Sequence, residues 1–142
     1  MQKITPFHVA IPVHNLEEAR TFYVDVLQCK EGRSSEQWID FDLYGHQFVV
    51  HHQPNVKPTH EQHFNQVDGQ GVPVPHYGVV LEWETWEQLA QRLSDKNITF
   101  AIEPYIRFKG QVGEQATMFF FDPSGNALEF KAFKDMSTLF AK

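Results

Sequence analysis

Near the start of the chain Phe7, Val9 and Ile11 alternate with His8 and Ala10, a period of two that predicts a strand with one apolar face. Asn15, followed three residues later by Glu18, then marks a capped helix start in NLEEARTFYVDVL. The same order returns in VPHYGVVLEWETWEQLAQRLSDKN. Here Tyr77, Val79, Leu81 and Trp83 make one apolar face, and His76, Gly78, Val80 and Glu82 make the other. Trp86, Leu89, Ala90 and Leu93 stripe the following helix, for which Thr85 is the expected cap and Gln88 its partner. Short strands follow each helix, at about 29–33, 37–43 and 46–52, then at about 99–108, 115–121 and 127–133. The chain therefore reads βαβββ, twice.

Turn chemistry supports the last hairpin of each half. In Asp122-Pro123-Ser124-Gly125 proline presets φ near −65° and glycine closes a type I turn, and Tyr44-Gly45 does the corresponding work earlier. Residues 53–74 are polar and rich in proline and glycine, and read as a linker or lid whose His60 and His63 are candidate ligands but more commonly solvated loop residues. With 142 residues the expectation is a single domain: a first module at about 1–53, a connecting loop at about 54–74, a second module at about 75–134 and a tail at 135–142.

Composition narrows the function classes. The net charge is −6 with no basic cluster, which argues against nucleic acid or an anionic membrane as partner and leaves a small molecule. Cys29 is the single cysteine, so no internal disulfide forms; without a signal-like apolar run, a cytoplasmic location is expected. No stretch approaches the roughly 20 apolar residues of a membrane span.

The duplicated module, the strand histidine opening each half and the ending FFFDPSGNALEFKAF resemble the vicinal oxygen chelate superfamily, which includes glyoxalase I, extradiol dioxygenases and fosfomycin and bleomycin resistance proteins. GRSS, WIDF, FDLYGHQ and VPVPHYGVVLEW look most like a bacterial subgroup described as predicted extradiol-type dioxygenases. The resemblance implies an α+β fold in which two βαβββ modules form curved, half-barrel mixed sheets with helices outside. It implies metal ligands at His8, His76 and Glu129, with a fourth family position falling on Val49, which cannot bind a metal. It also implies a homodimer, with the metal held within one chain or shared across two.

Strand parity agrees with those three ligands, because each points away from an apolar row; Ala10, Gly78 and Ala127 beside them are expected to leave room for an ion and a substrate. Two imidazoles and a carboxylate suit a divalent first-row ion with open coordination positions. Fe(II) is favoured for oxygen chemistry, with Mn(II), Zn(II), Ni(II) or Co(II) as alternatives. His51 shares the strand face of Val49 and is a candidate proton shuttle or supporting group, while Tyr105 and Arg107 are candidates for substrate binding. Arg33, Ser34 and Ser35 form a polar corner or a simple turn. The extradiol enzymes carry a tyrosine where this chain has Phe119, and a histidine where Gly110, Gln111 and Val112 stand. The expected function is a metal-dependent, dioxygenase-like enzyme acting on a small oxygen-chelating substrate, the alternatives being a glyoxalase-like lyase or isomerase and a non-catalytic antibiotic-binding protein.

Overall fold

The computed structural model describes residues 3–58 and 63–142; His60 lies outside the described residues. Strand β1 (His8–Val13) buries Ile11 and Val13 and exposes His8, Ala10 and Pro12, as alternation requires. Helix α1 (Leu16–Thr21) begins at Asn15, whose Oδ1 accepts the Glu18 N–H at 2.9 Å, and runs on into a π-helical turn over Phe22–Val26. Strands β2 (Lys30–Ser34), β3 (Trp38–Leu43) and β4 (His46–His52) complete a sheet of order β1-β4-β3-β2, with β1 parallel to β4. Tyr44 and Gly45 take φ of 51° and 89°, the two positive angles that a tight hairpin between right-twisted strands needs.

The remaining elements are β5 (His63–Val67), β6 (Gln70–Val74), β7 (Val80–Leu81), α2 (Trp83–Asp95), β8 (Phe100–Arg107), β9 (Gln115–Phe121) and β10 (Ala127–Phe133). They form a second sheet of order β7-β10-β9-β8, in which β7 is parallel to β10, and a separate β5-β6 hairpin. The βαβββ order thus occurs twice, as the alternation predicts, in a mixed α+β architecture. Packing groups the chain into two compact units, Met1–Thr59 with Asp122–Asn126, and His60–Phe121 with Ala127–Lys142.

The first unit is built around Tyr23, a fully buried ring 5.2 Å from both Phe41 and Phe48. Its hydroxyl donates to Asp122 Oδ2 at 2.8 Å, and burial first, then the Asp122 carboxylate, pushes the phenol well above its ordinary pKa. Asp122 also accepts from the backbone N–H groups of Ser124 and Asn126 and from Asn126 Nδ2, so the DPSGN motif is a self-satisfied buried turn. In the second unit Trp86, Leu89 and Leu93 of α2 are buried, and the Trp86 indole donates to the Phe130 carbonyl at 2.8 Å.

Three local expectations are corrected. Helix α2 starts at Trp83 with Glu82 in the cap position and no side-chain cap bond, rather than at Thr85, because β7 feeds the helix almost directly. Among the described residues, regular pairing of the second opening strand is confined to Val80–Leu81 and a bridge at Tyr77; Pro75, just before that bridge, supplies no donor to a ladder. Within 53–74, residues 63–74 are an ordered hairpin: Asp68 and Gly69, at φ 50° and 76°, make a two-residue turn between β5 and β6.

Candidate metal centre

Parallel pairing of Tyr77 with Leu128 and of Val80 with Lys131 runs in one register, which sets Gly78 opposite Glu129. The approach is so close that a Cβ on Gly78 would stand 1.4 Å from the Glu129 carbonyl oxygen. Gly78 therefore makes room for the backbone of the next strand, and not for an ion or substrate as its place beside His76 suggests.

This contact brings His76 and Glu129 together, with Nε2 of His76 2.9 Å from Oε2 of Glu129. The other imidazole nitrogen, Nδ1, lies 2.7 Å from the Pro73 carbonyl oxygen. A carbonyl only accepts, so Nδ1 carries a proton and Nε2 is the nitrogen offered to the carboxylate. Glu129 Oε1 accepts from the Thr117 hydroxyl at 2.8 Å and faces Lys131 Nζ at 3.7 Å. The hydrogen bond to Glu129 raises the His76 pKa, outweighing burial. Burial pushes the Glu129 carboxyl up, but His76, Lys131 and Thr117 together hold it below its ordinary value. Phe119, which faces Glu129 across the ladder, sets its ring centroid 5.1 Å from that of the imidazole in a T-shaped contact and makes an apolar wall.

His8 is in the first unit, exposed on β1 opposite Gln47 of β4. Its Nδ1 is 2.8 Å from Gln47 Oε1, and Gln47 Nε2 donates to Asp40 Oδ2 at 3.3 Å. An ionised carboxylate accepts only, which orients the amide and makes Oε1 the acceptor of the His8 Nδ1 proton; Nε2 of His8 is again the free nitrogen. Asp40 and Gln47 also border a cavity of about 470 Å³ in this unit. Val49 is buried between Ala10 and Asp40. His51 is exposed on the same face, four residues along β4 from Gln47 and so roughly 13 Å down the strand from the His8 row.

Tyr105 and Arg107 pair with Thr117 and Gln115, which places them on the sheet face that carries Glu129, at the far strand. Both bind Asp68 at the tip of the β5-β6 hairpin: the Tyr105 hydroxyl at 3.1 Å and Arg107 Nε at 2.5 Å from Oδ2. Ser34 ends β2, and Ser35 turns the chain into β3, its N–H donating to the Trp38 carbonyl, so this corner is a structural turn. Among the described residues, no group of three or more His, Cys, Asp or Glu side chains gathers to hold a metal ion. Spacing along the chain does not single out Thr117, Lys131, Gln47, Asp40 or Asp68, all brought in by strand register or by a hairpin tip.

A profile of the Glyoxalase/Bleomycin resistance protein/Dioxygenase superfamily matches residues 5–130, and the chain belongs to that superfamily. It is 31% identical to a glyoxalase/bleomycin resistance protein/dioxygenase from Alicyclobacillus acidocaldarius, with a TM-score of 0.77 over 95% of this chain and 96% of that one. A glyoxalase/dioxygenase from Nostoc punctiforme shares the fold at 17% identity and TM-score 0.69, covering 90% of each chain. So does the fosfomycin resistance protein FosX from Listeria monocytogenes, solved in complex with Mn(II) and sulfate, at 14% identity and TM-score 0.66 over 96% of this chain and 95% of that one.

Proposed function

We propose that this chain is a divalent-metal-dependent enzyme acting on a small molecule that chelates the ion through adjacent oxygens, with dioxygenase-like oxidation as the leading reaction. The observation that carries the reading is the His76–Glu129 pair. Two donors at right angles on an ion about 2.1 Å from each stand roughly 3 Å apart, and Nε2 and Oε2 are 2.9 Å apart. The tautomer fits too, since an ion taking the place of the Nε2 proton keeps the Nδ1 hydrogen bond to Pro73 intact.

His8 presents its Nε2 in the same way through Gln47 and Asp40 and is the third ligand of this proposal. His8 would complete the centre with the His76–Glu129 pair, and the arrangement we favour is a homodimer in which His8 of one copy faces the pair of the other. Fe(II) is the ion we favour; the Mn(II) in FosX, which shares the fold, supports a divalent ion as such.

Bound there, the ion supplies charge stabilisation for a substrate oxyanion. The chain's own residues do the rest. His76 and Glu129 would fix the ion, Thr117 and Lys131 orient the carboxylate, and Phe119 packs against the imidazole. Phe119 has no proton to give, so the sheet-face phenol that remains is Tyr105.

Anaerobic reconstitution with Fe(II), followed by oxygen uptake over a panel of catechols and dicarbonyls, tests the reaction. Oxygen consumption that depends on both metal and substrate supports it. Turnover of methylglyoxal hemithioacetal without oxygen would assign the chain to lyase or isomerase chemistry instead.

A further inference from the structure

Residues on the far side of the metal face of the second sheet are already arranged around a carboxylate. Asp68 is gripped by Arg107 through Nε at 2.5 Å and Nη2 at 3.5 Å, and by the Tyr105 hydroxyl at 3.1 Å. Beside Arg107 in the ladder stands Gln115, which is 7% exposed and whose Oε1 has no hydrogen-bond partner among the described residues. Its Nε2 donates to the Gly113 carbonyl, so the unmatched atom is an acceptor waiting for an O–H or N–H donor. A guanidinium fork, a phenol and a buried acceptor on one face, two strands or roughly 10 Å from the Glu129 strand, suit a small acid that carries a hydroxyl near its carboxylate.

We propose that Arg107, Tyr105 and Gln115 form the carboxylate subsite of a hydroxy-acid substrate, and that Asp68 is an internal stand-in which the substrate displaces, releasing the β5-β6 hairpin. Three observations make the hairpin displaceable. Among the described residues no backbone ladder joins it to either four-stranded sheet, and a two-stranded ribbon alone is marginal in water. Strand β5 is mostly exposed, with Phe64 among the exposed apolar residues, and β6 buries only Pro73. The Asp68–Arg107 pair is itself 39% and 19% exposed, so water and salt weaken it.

The hairpin also touches the metal pair at its other end. Pro73 on β6 supplies the carbonyl that holds Nδ1 of His76. Release of the tip by an incoming acid therefore acts on the strand that fixes the tautomer of a proposed ligand, which ties substrate arrival to the state of the site. The proposal deepens the enzyme reading above and rests on it for the word substrate, but the subsite itself is testable with no metal present.

The test uses the full chain in EDTA, with glycolate as probe, acetate as the analogue lacking the hydroxyl, and chloride at equal ionic strength as control. Side-chain Nε–H resonances report Arg107, and amide hydrogen exchange reports residues 63–74. Glycolate should shift the Arg107 resonance and speed exchange in the hairpin, acetate less so and chloride not at all. Asp68→Asn keeps a residue that tolerates the positive φ of the turn while removing the competing charge. It should tighten glycolate binding about tenfold, as expected when a site mostly held by an internal competitor is freed. Arg107→Gln in the Asp68→Asn background should abolish binding. Glycolate affinity unchanged by Asp68→Asn, or hairpin exchange in wild type no faster with glycolate than with chloride, overturns the proposal. Neither outcome bears on metal binding by His76 and Glu129, which is measured separately.

Discussion

Replacing Gly78 with alanine places a methyl group inside the backbone of the neighbouring strand. The added Cβ would lie 1.4 Å from the Glu129 carbonyl oxygen, 2.6 Å from its carbon and 3.3 Å from its nitrogen. All three are main-chain atoms, so no side-chain rotation relieves the clash. Reaching the 3.0 Å below which real contacts essentially never fall requires a movement of about 1.6 Å. The hydrogen bonds flanking this point are Tyr77 N–H to Ala127 O at 3.1 Å, Glu129 N–H to Tyr77 O at 2.8 Å and Lys131 N–H to Val79 O at 3.3 Å. A displacement of that size breaks them, at roughly 1 kcal/mol each, so the loss is about 3 kcal/mol, within the upper range for overpacking. For a chain of this length that lowers Tm by about 10 °C, readable by thermal unfolding followed by circular dichroism. Gly32→Ala is the control, since its Cβ would meet Asp40 Cβ at an ordinary 3.4 Å. A Gly78→Ala protein whose Tm falls no further than that of Gly32→Ala, or that keeps wild-type metal affinity, would refute the reasoning.

Other consequences are equally specific. Gln47→Leu removes the acceptor that fixes the His8 tautomer and should weaken divalent-metal binding about 10- to 100-fold in calorimetric titration while leaving the fold intact. In the metal-free protein the His76–Glu129 pair should stabilise the fold most between about pH 4.5 and 6.5, the ordinary values of the two groups. The raised His76 contributes fully below its ordinary pKa and is lost as pH rises through the raised value; the lowered Glu129 contributes above its ordinary pKa and is lost as pH falls through the lowered one. Denaturant titrations of wild type and Glu129→Gln across pH 3 to 9 should diverge in that window. Tyr23→Phe deletes a buried hydrogen bond to the Asp122 carboxylate and should cost about 1.5–3 kcal/mol, seen as a lower urea midpoint with unchanged m.

Much of the fold was legible because periodicity reports which face of an element is buried. The alternation of Val9 and Ile11 with His8, and of Leu128 and Phe130 with Glu129, put the polar side chains on the observed faces, and Asn15 capped its helix as its spacing with Glu18 predicts. Parity does not report how near two strands lie, which is why Gly78 was legible as a small residue on the right face but not as a main-chain contact to Glu129. The β5-β6 hairpin lacked an apolar face, since His63, Phe64, Asn65 and Gln66 are all exposed; only Asp68-Gly69 signalled it. Thr117 meets Glu129, and Gln47 and Asp40 line up beside His8, through pairing register across strands, a relation no spacing along one strand encodes.

The central claim is that His76 and Glu129 hold a divalent ion through Nε2 and a carboxylate oxygen. Anaerobic equilibrium dialysis against Fe(II) of wild type, His76→Ala and Glu129→Gln, each verified as folded, tests it most directly. Wild type should bind stoichiometric metal and both variants should lose it; equal metal on wild type and His76→Ala would show that this pair does not hold the ion.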